Sequence, residues 1–312
     1  MKKALLLGCA LLLSSLPSSA WKTASGFSTD WASVQMEQKS LSDHVTFLHG
    51  SGGNMLVSTG PDGIVLVDCE FSPMSDKIKA AVAKLQPGPI RFLIDTHWHI
   101  DHAGGNADFA KDGTVIIAQD HVRSRLSTQQ PAGYFGNTVP PSPPAAWPLI
   151  TFDRSMTLHF NGENIMLLND GVAHTDGDAI VYFPKSNVVH MGDVYINGLY
   201  PIIDLASHGT IQGYFPIIDH VLGMINDQTR VIPGHGPIGT KADLLFYRNM
   251  LATLRDRVQK MITEGKTLDE ITAANVSKDF DNDWASDRVG PKAITKMIYE
   301  SLTGPKSLTS ER

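Results

Sequence analysis

Residues 90–102 read Ile90-Arg91-Phe92-Leu93-Ile94-Asp95-Thr96-His97-Trp98-His99-Ile100-Asp101-His102. An apolar run, predicted as a buried strand over Ile90 to Asp95, ends directly on four side chains that can bind a metal. In extended backbone, residues two apart project to the same side, so His97 and His99 can share one ion. The chain then turns, and Asp101 and His102 can face a second. Four solvated polar residues on a loop would not need so apolar a strand to deliver them. The stretch reads as a metal-binding segment.

Three further stretches bring the same residue types to the same kind of place. Gly171-Val172-Ala173-His174-Thr175-Asp176-Gly177-Asp178 sets His174 in a glycine-flanked loop before an expected strand. Met191-Gly192-Asp193 follows the apolar pair Val188-Val189, and Pro233-Gly234-His235-Gly236 follows the strand expected over 229–232. Singly each is weak, because a lone histidine beside glycines is more often solvated or hydrogen-bonded than metal-bound. Together they set His and Asp at successive strand ends, where a sandwich of sheets gathers its loops along one edge. The chain also carries 12 histidines, several in clusters with Asp and Gly, as a metal site requires.

This order of motifs (HxHxDH, a His before Thr-x-Gly, Gly-Asp after a strand, then Pro-Gly-His-Gly) resembles the metallo-β-lactamase superfamily over about residues 44 to 240. The resemblance implies an α+β fold, the four-layer αβ/βα sandwich, with the metal site at the edge of its two sheets. It implies that His97, His99 and His174 hold one zinc ion. Asp101, His102 and His235 would hold a second, and Asp193 would bridge the two. Asp68, ending the run Ile64-Val65-Leu66-Val67, matches the family's buried acid that hydrogen-bonds a ligand histidine and fixes its tautomer. His190 sits in strand context just before Met191-Gly192-Asp193 and is expected to face away from Asp193. His208 is expected as a solvated loop residue within reach of substrate.

Periodicity by itself supports only a mixed α and β chain. Short β-rich runs at 45–49, 54–59 and 63–67 are separated by glycine-rich turns. Ser75 to Leu85 has helical spacing and stops at Pro87-Gly88-Pro89. A short helix is expected over 103–110 and a strand over 114–118, with further strands over 156–160, 163–168, 179–183 and 187–191. Residues 21–43 read as polar and irregular. Residues 128–150, dense in Pro, Gly and aromatics, read as a wall of the site with Tyr134 and Trp147, joined by the segment Tyr195 to Tyr200. One domain is expected over 21–312, with a helical extension from about 242.

Composition excludes other classes of function. A net charge of −6 spread along the chain offers no basic patch for nucleic acid or an anionic membrane. Lys2-Lys3, the apolar run Ala4 to Leu13 and Pro17-Ser18-Ser19-Ala20 read as a cleaved signal peptide over 1–20, hence a periplasmic or secreted protein. The run is too short for a permanent anchor. Leu6-Leu7-Gly8-Cys9 resembles a lipobox, but Cys9 comes too early for lipid attachment. Cys69 then stands alone and reads as a small buried residue.

Two zinc ions sharing one water would lower its pKa from about 16 to near neutral, and Asp101 is placed to orient that water and pass a proton to the leaving group. The expected substrate is a small molecule. Dedicated zinc β-lactamases carry Cys or Ser where this chain has Asp193, whereas glyoxalase II and the zinc lactonases carry Asp. The export signal and a body similar to the His-rich zinc β-lactamases favour opening of a cyclic amide or ester, β-lactam-like or lactone. A glyoxalase II-like thioesterase is the alternative, though no basic cluster for glutathione is recognisable near the C-terminus. An iron-dependent oxidoreductase resembling the persulfide dioxygenases would use part of the same ligand set. The oligomeric state leaves no mark on the sequence.

Overall fold

The computed structural model describes residues 30–131, 136 and 138–304, and its first sheet takes seven strands in sequence order. They are β1 (Glu37–Ser40), β2 (Val45–His49), β3 (Met55–Gly60), β4 (Gly63–Val67), β5 (Ile90–Ile94), β6 (Val115–Gln119) and β7 (Ile150–Phe152). β1 to β4 pair antiparallel and β4 to β7 pair parallel. The change of direction follows from the connections. Tight turns link the early strands, whereas helix α1 (Ser75–Leu85) carries the chain back between β4 and β5. β4 is buried on both faces, which is why Ile64-Val65-Leu66-Val67 is apolar throughout instead of alternating.

The second sheet has the order β12-β11-β10-β9-β8, from β8 (Ser155–Phe160), β9 (Glu163–Leu168), β10 (Ile180–Phe183), β11 (Val188–His190) and β12 (Arg230–Ile232). Val67, Ile94 and Ile117 of the first sheet and Val181, Val188 and Ile232 of the second fill the space between them. Behind the first sheet, Ile78 and Val82 of α1 pack against Val57, Leu66 and Leu93. Behind the second lie α5 (Tyr214–Met224) and α6 (Lys241–Thr263), which bury Ile218, Leu244, Leu251 and Leu254 against Val189 and Val231. Helix, sheet, sheet, helix: the αβ/βα sandwich expected from the resemblance is present.

Four local readings need correction. The helix expected over 103–110 is two short ones, α2 (Ile100–Ala103) and α3 (Asn106–Ala110). Gly104 and Gly105 part them by lying against the backbone of Cys69 and Glu70, where a Cβ on Gly105 would come within 2.8 Å of the Cys69 carbonyl oxygen. Within the stretch read as irregular, β1 pairs with β2; its side chains are all exposed, so no apolar period marks it. Helix α4 (Asp120–Ser127) and the short α8 (Asp281–Trp284) were not anticipated either. Helix α7 (Leu268–Ala273) and α9 (Pro291–Thr303) lie where expected, and no helix among the described residues is long and apolar enough to cross a membrane. The segment read as a signal peptide, Cys9 and Tyr134 lie outside the described residues.

Leu254 is fully buried on α6, whereas Leu245 on the same helix is 45% exposed. Leu254→Ala should cost about 2–5 kcal/mol in chemical denaturation. Leu245→Ala should stay within about 0.5 kcal/mol. Equal costs would show that α6 does not meet the sheet through the face described.

Candidate metal centre

Five loops meet at one edge of the sandwich. Asp68 follows β4, the segment 95–102 follows β5, His174 lies ahead of β10, Asp193 follows β11 and His235 follows β12. Parallel pairing of His190 with Ile232 makes the chains that continue from β11 and β12 emerge side by side. Gly234 N–H then donates to the carbonyls of Gly192 (2.7 Å) and Tyr195 (2.9 Å). Any side chain at 234 would collide with the site, since a Cβ there would sit 1.9 Å from Asp193 Oδ1. Gly53 is under the same constraint, with its notional Cβ 2.1 Å from His102 Cε1.

Hydrogen bonds fix which nitrogen is left for a metal on His97, His99, His102 and His174. Asp68, fully buried with φ of 58°, accepts from the Thr96 amide at Oδ1 (2.7 Å) and from the Thr96 hydroxyl at Oδ2 (2.8 Å). Its Oδ2 also lies 2.7 Å from His102 Nδ1, so Nδ1 carries the proton and Nε2 keeps its lone pair. Because the Thr96 hydroxyl spends its proton on Asp68, it accepts from His97 Nδ1 (3.0 Å), and His97 Nε2 is likewise left as an acceptor. His174 Nδ1 donates to the Ile202 carbonyl (2.7 Å). His99 is reversed: Nε2 donates to Asp204 Oδ2 (2.9 Å), leaving Nδ1 for the site.

The freed atoms converge. His97, His99 and His174 form one group whose ligand atoms all lie within 4.8 Å of one another; His97, His102 and Asp193 form another, and Asp101, His102 and His235 a third. Asp193 spans them, with Oδ2 3.6 Å from His174 Nε2 and Oδ1 3.3 Å from His102 Nε2 and 3.6 Å from His235 Nε2. His99 Nδ1 and His174 Nε2 stand only 2.8 Å apart with both lone pairs inward. His97 Nε2 and Asp193 Oδ1 are buried and make no hydrogen bond among the described residues. Such orphaned acceptors fit metal ions and fit little else. The overlapping clusters suggest a dinuclear metal site.

Electrostatics agree with that reading. Burial holds His97 well below the usual imidazole range, so its ring is neutral. Burial alone would lower His102 too, but Asp193, Asp68 and Asp101 outweigh it and drive the ring well above its ordinary value. For Asp101, burial is outweighed by His102 and His235, and the carboxyl falls below the usual carboxylate range. Asp193 is driven the same way, burial being outweighed by His235 and His102. Several carboxylates thus attract positive charge to one small volume, and bound cations would answer that demand in place of a proton.

The two doubtful histidines take structural places. His190 Nδ1 accepts from the Gly192 amide (3.0 Å), and Nε2 donates to the Asn54 carbonyl (2.9 Å). His208, on an exposed turn, lies 3.1 Å from Asp176 Oδ2, which is also gripped by Arg125. A cavity of about 850 Å³ opens beside His99 and Asp101, walled by Pro140, Pro141, Pro143 and Leu126. Segment 128–150 therefore forms a wall, but Trp147 does not line the cavity. It donates from Nε1 to the Ser142 carbonyl (3.0 Å) and packs beside Trp98 and Val122. Tyr195 and Tyr200 are no walls either. Tyr195 is buried against Tyr247, and Tyr200 donates to Asp281 Oδ1 (2.9 Å), so both rings serve the core behind the site. Ile202 and Asp204, two and four residues on, line the cavity instead.

Sequence reading passed over Asp204 and Thr96. Thr96 lies inside the quoted stretch, and a hydroxyl between a carboxylate and a histidine could have been suspected there. Asp204 has no such signal, because its partner His99 is 105 residues away. Asp178, which accepts from the His174 and Thr175 amides and is pushed up to about 6 by burial, was likewise missed as the residue that shapes the His174 loop.

A family model described as the metallo-beta-lactamase superfamily matches residues 42–239. Over 182 residues the chain is 25% identical to the 2,4-dinitroanisole O-demethylase subunit alpha of Nocardioides sp. (strain JS1661), covering 58% of this chain and 51% of that one. It is 21% identical over 233 residues to the metallo-beta-lactamase type 2 of Bacillus cereus, covering 72% of this chain and 84% of that one. Among solved structures, the inverting sec-alkylsulfatase Pisa1 from Pseudomonas sp. aligns with a TM-score of 0.66 at 17% identity, over 86% of this chain and 50% of that one. The DIM-1 metallo-beta-lactamase aligns at 0.58 and 18%, over 70% of this chain and 99% of that one. The chain thus spans about half the length of the demethylase subunit and of the alkylsulfatase. At these identities the structural likeness shows the fold.

Asp204→Asn keeps the size of the side chain but weakens its hold on the His99 proton. Zinc affinity, read by competition with a chelator, should fall about 10–100-fold. An unchanged affinity would mean that His99 does not depend on Asp204 for its orientation.

Proposed function

The chain belongs to the metallo-beta-lactamase superfamily, and from that premise we propose that it is an exported hydrolase that holds two zinc ions and opens a cyclic amide or ester, β-lactam-like or lactone. A metal-binding hydrolase of this fold is the part that the ligand clusters and the family support directly. The observation that carries the dinuclear reading is the overlap of three ligand groups through His97 and His102, with Asp193 within 3.6 Å of three of the rings. His97, His99 and His174 would hold one ion, Asp101, His102 and His235 the other, and Asp193 would lie between. Ions held there supply an acidified water and polarise the oxygen that gains charge.

The chain's own residues do the rest. Asp101 lines the cavity and its Oδ2 lies 3.2 Å from His235 Nε2, so it stands between the ligand cluster and any bound molecule. From that place its carboxylate can orient the attacking water and pass a proton to a leaving nitrogen or oxygen. Thr96, Asp68 and Asp204 hold the rings in place, so little reorganisation is needed as charge develops. Pro140, Pro141 and Pro143 give the cavity a stiff, mostly apolar wall suited to a small organic ring. The segment Lys2 to Ala20 supports export.

Relatives named for an O-demethylase, an alkylsulfatase and a β-lactamase make the leaving group the open choice. Zinc-loaded protein should be offered a chromogenic β-lactam, a lactone, a thioester and a secondary alkyl sulfate side by side. Turnover of the lactam or lactone is expected; turnover of the thioester or sulfate alone would overturn the cyclic substrate. Asp101→Asn should lower kcat by about 10²–10⁴-fold on an amide, which needs a proton before its nitrogen departs. An activated ester with a good leaving group should lose less. Equal losses at saturating zinc would remove proton donation from the role of Asp101.

A further inference from the structure

The loop that carries His174 lies directly against α4, and a buried ion pair joins the two. Gly177 permits the close approach: a Cβ there would come 3.0 Å from Val122 Cγ2 and 3.1 Å from the Val122 nitrogen. Nearby, Arg125 of α4 grips Asp176 with two parallel bonds, Nε to Oδ1 and Nη2 to Oδ2, each 2.6 Å. Both side chains are buried. A third bond runs outward. Arg125 Nη1 donates to Gln130 Oε1 (2.7 Å), and Gln130 Nε2 donates back to the Arg125 carbonyl (2.8 Å). Gln130 and Val139 then exchange both backbone hydrogen bonds (2.8 and 3.1 Å), and Ser142 N–H donates to the Leu126 carbonyl (2.8 Å). One guanidinium thus ties the His174 loop to the foot of the wall formed by Val139, Pro140, Pro141 and Pro143.

Each end of that link has other supports. Helix α4 docks through Val122 and Leu126, which pack with Trp98 and Ala118. The His174 loop is shaped by Asp178, which accepts from the His174 and Thr175 amides. Burying two charges costs about as much as their attraction returns, so a pair of this kind contributes position more than stability. Its forked geometry makes that position exact in both distance and angle. What it fixes here is the gap between the His174 loop and an apolar wall of the cavity.

We infer that Arg125 is a positioning residue: its pair with Asp176 sets how far the wall stands from the metal centre, and so which apolar group of a substrate the cavity accepts. This rests on the hydrolase reading only for where the reacting bond lies.

Hydrogen exchange on the zinc-loaded full chain reads the positioning without any turnover. Arg125→Met should speed exchange at the Gln130, Val139 and Ser142 amides about 10–100-fold, as loss of a charged hydrogen bond implies, with the His174 and Thr175 amides within about twofold. Selection is read with two lactones alike except for an octyl chain on one. The wild-type preference for the octyl lactone should narrow roughly 10-fold in Arg125→Met, through KM and with kcat within about twofold, because a loosened wall must be ordered on binding. Arg125→Lys, which keeps the charge but not the fork, should recover part of both effects. Gln130→Leu leaves the pair with Asp176 whole and should loosen the same three amides, which decides the matter if Arg125→Met does not fold. If neither lactone is turned over, the lactone reading fails, and calorimetry with the matching cyclic ethers, which cannot be cleaved, reads the preference instead. Unchanged exchange at the three wall amides, equal acceleration in the His174 loop, or a wild-type chain with no preference for the octyl compound would overturn the assignment.

Discussion

Asp68 carries no metal ligand of its own, yet the geometry of the site hangs on its carboxylate. It is fully buried at the end of β4, in a left-handed backbone conformation that is uncommon for residues with a side chain but open to Asp. Three donors converge on it: the Thr96 amide, the Thr96 hydroxyl and His102 Nδ1. Through the first it ties the end of β4 to the end of β5. Through the second it obliges the hydroxyl to accept from His97, and through the third it fixes the face that His102 presents. One buried charge thereby decides the tautomers of two rings that between them belong to all three ligand groups.

The fold bears the cost of that arrangement. Aligned carboxylates and inward lone pairs would repel one another in a soft matrix, and a loop-built site would spread. Here the loops leave strands that are locked between two apolar layers. Glycines at 53 and 234 let the backbone come close enough for His102 and Asp193 to meet. Glu70 adds a further clamp, accepting from the Gly50 and Ser51 amides and so holding the loop that brings Gly53 against the His102 ring. A scaffold this rigid on the metal side leaves variation to the other side of the cavity, where Pro140, Pro141 and Pro143 form the wall.

How much of this could be read from the sequence depends on how far apart the partners are. HxHxDH was legible because a single turn of chain must supply four ligands, so their spacing is itself the geometry. His174, Asp193 and His235 were legible only as a set, through their common place at strand ends. Asp204 was not legible, since nothing near it in sequence announces a histidine 105 residues away. Tyr195 and Tyr200 were misplaced for the opposite reason. Aromatics next to a site motif look like pocket walls, and only the packing of α6 and α8 behind them shows that they face the core. The strands were read nearly as they stand because most are apolar runs bounded by glycine, whereas β1, polar and exposed, is held by backbone pairing alone.

The proposed centre gathers seven side chains from four loops around two ions. Metal analysis of the protein purified without added metal, joined to X-ray absorption at the metal edge, tests it most directly. The account predicts two zinc ions per chain, with a metal–metal separation of about 3.5–4 Å. A single ion per chain at saturation, with no metal neighbour in the absorption spectrum, would contradict it.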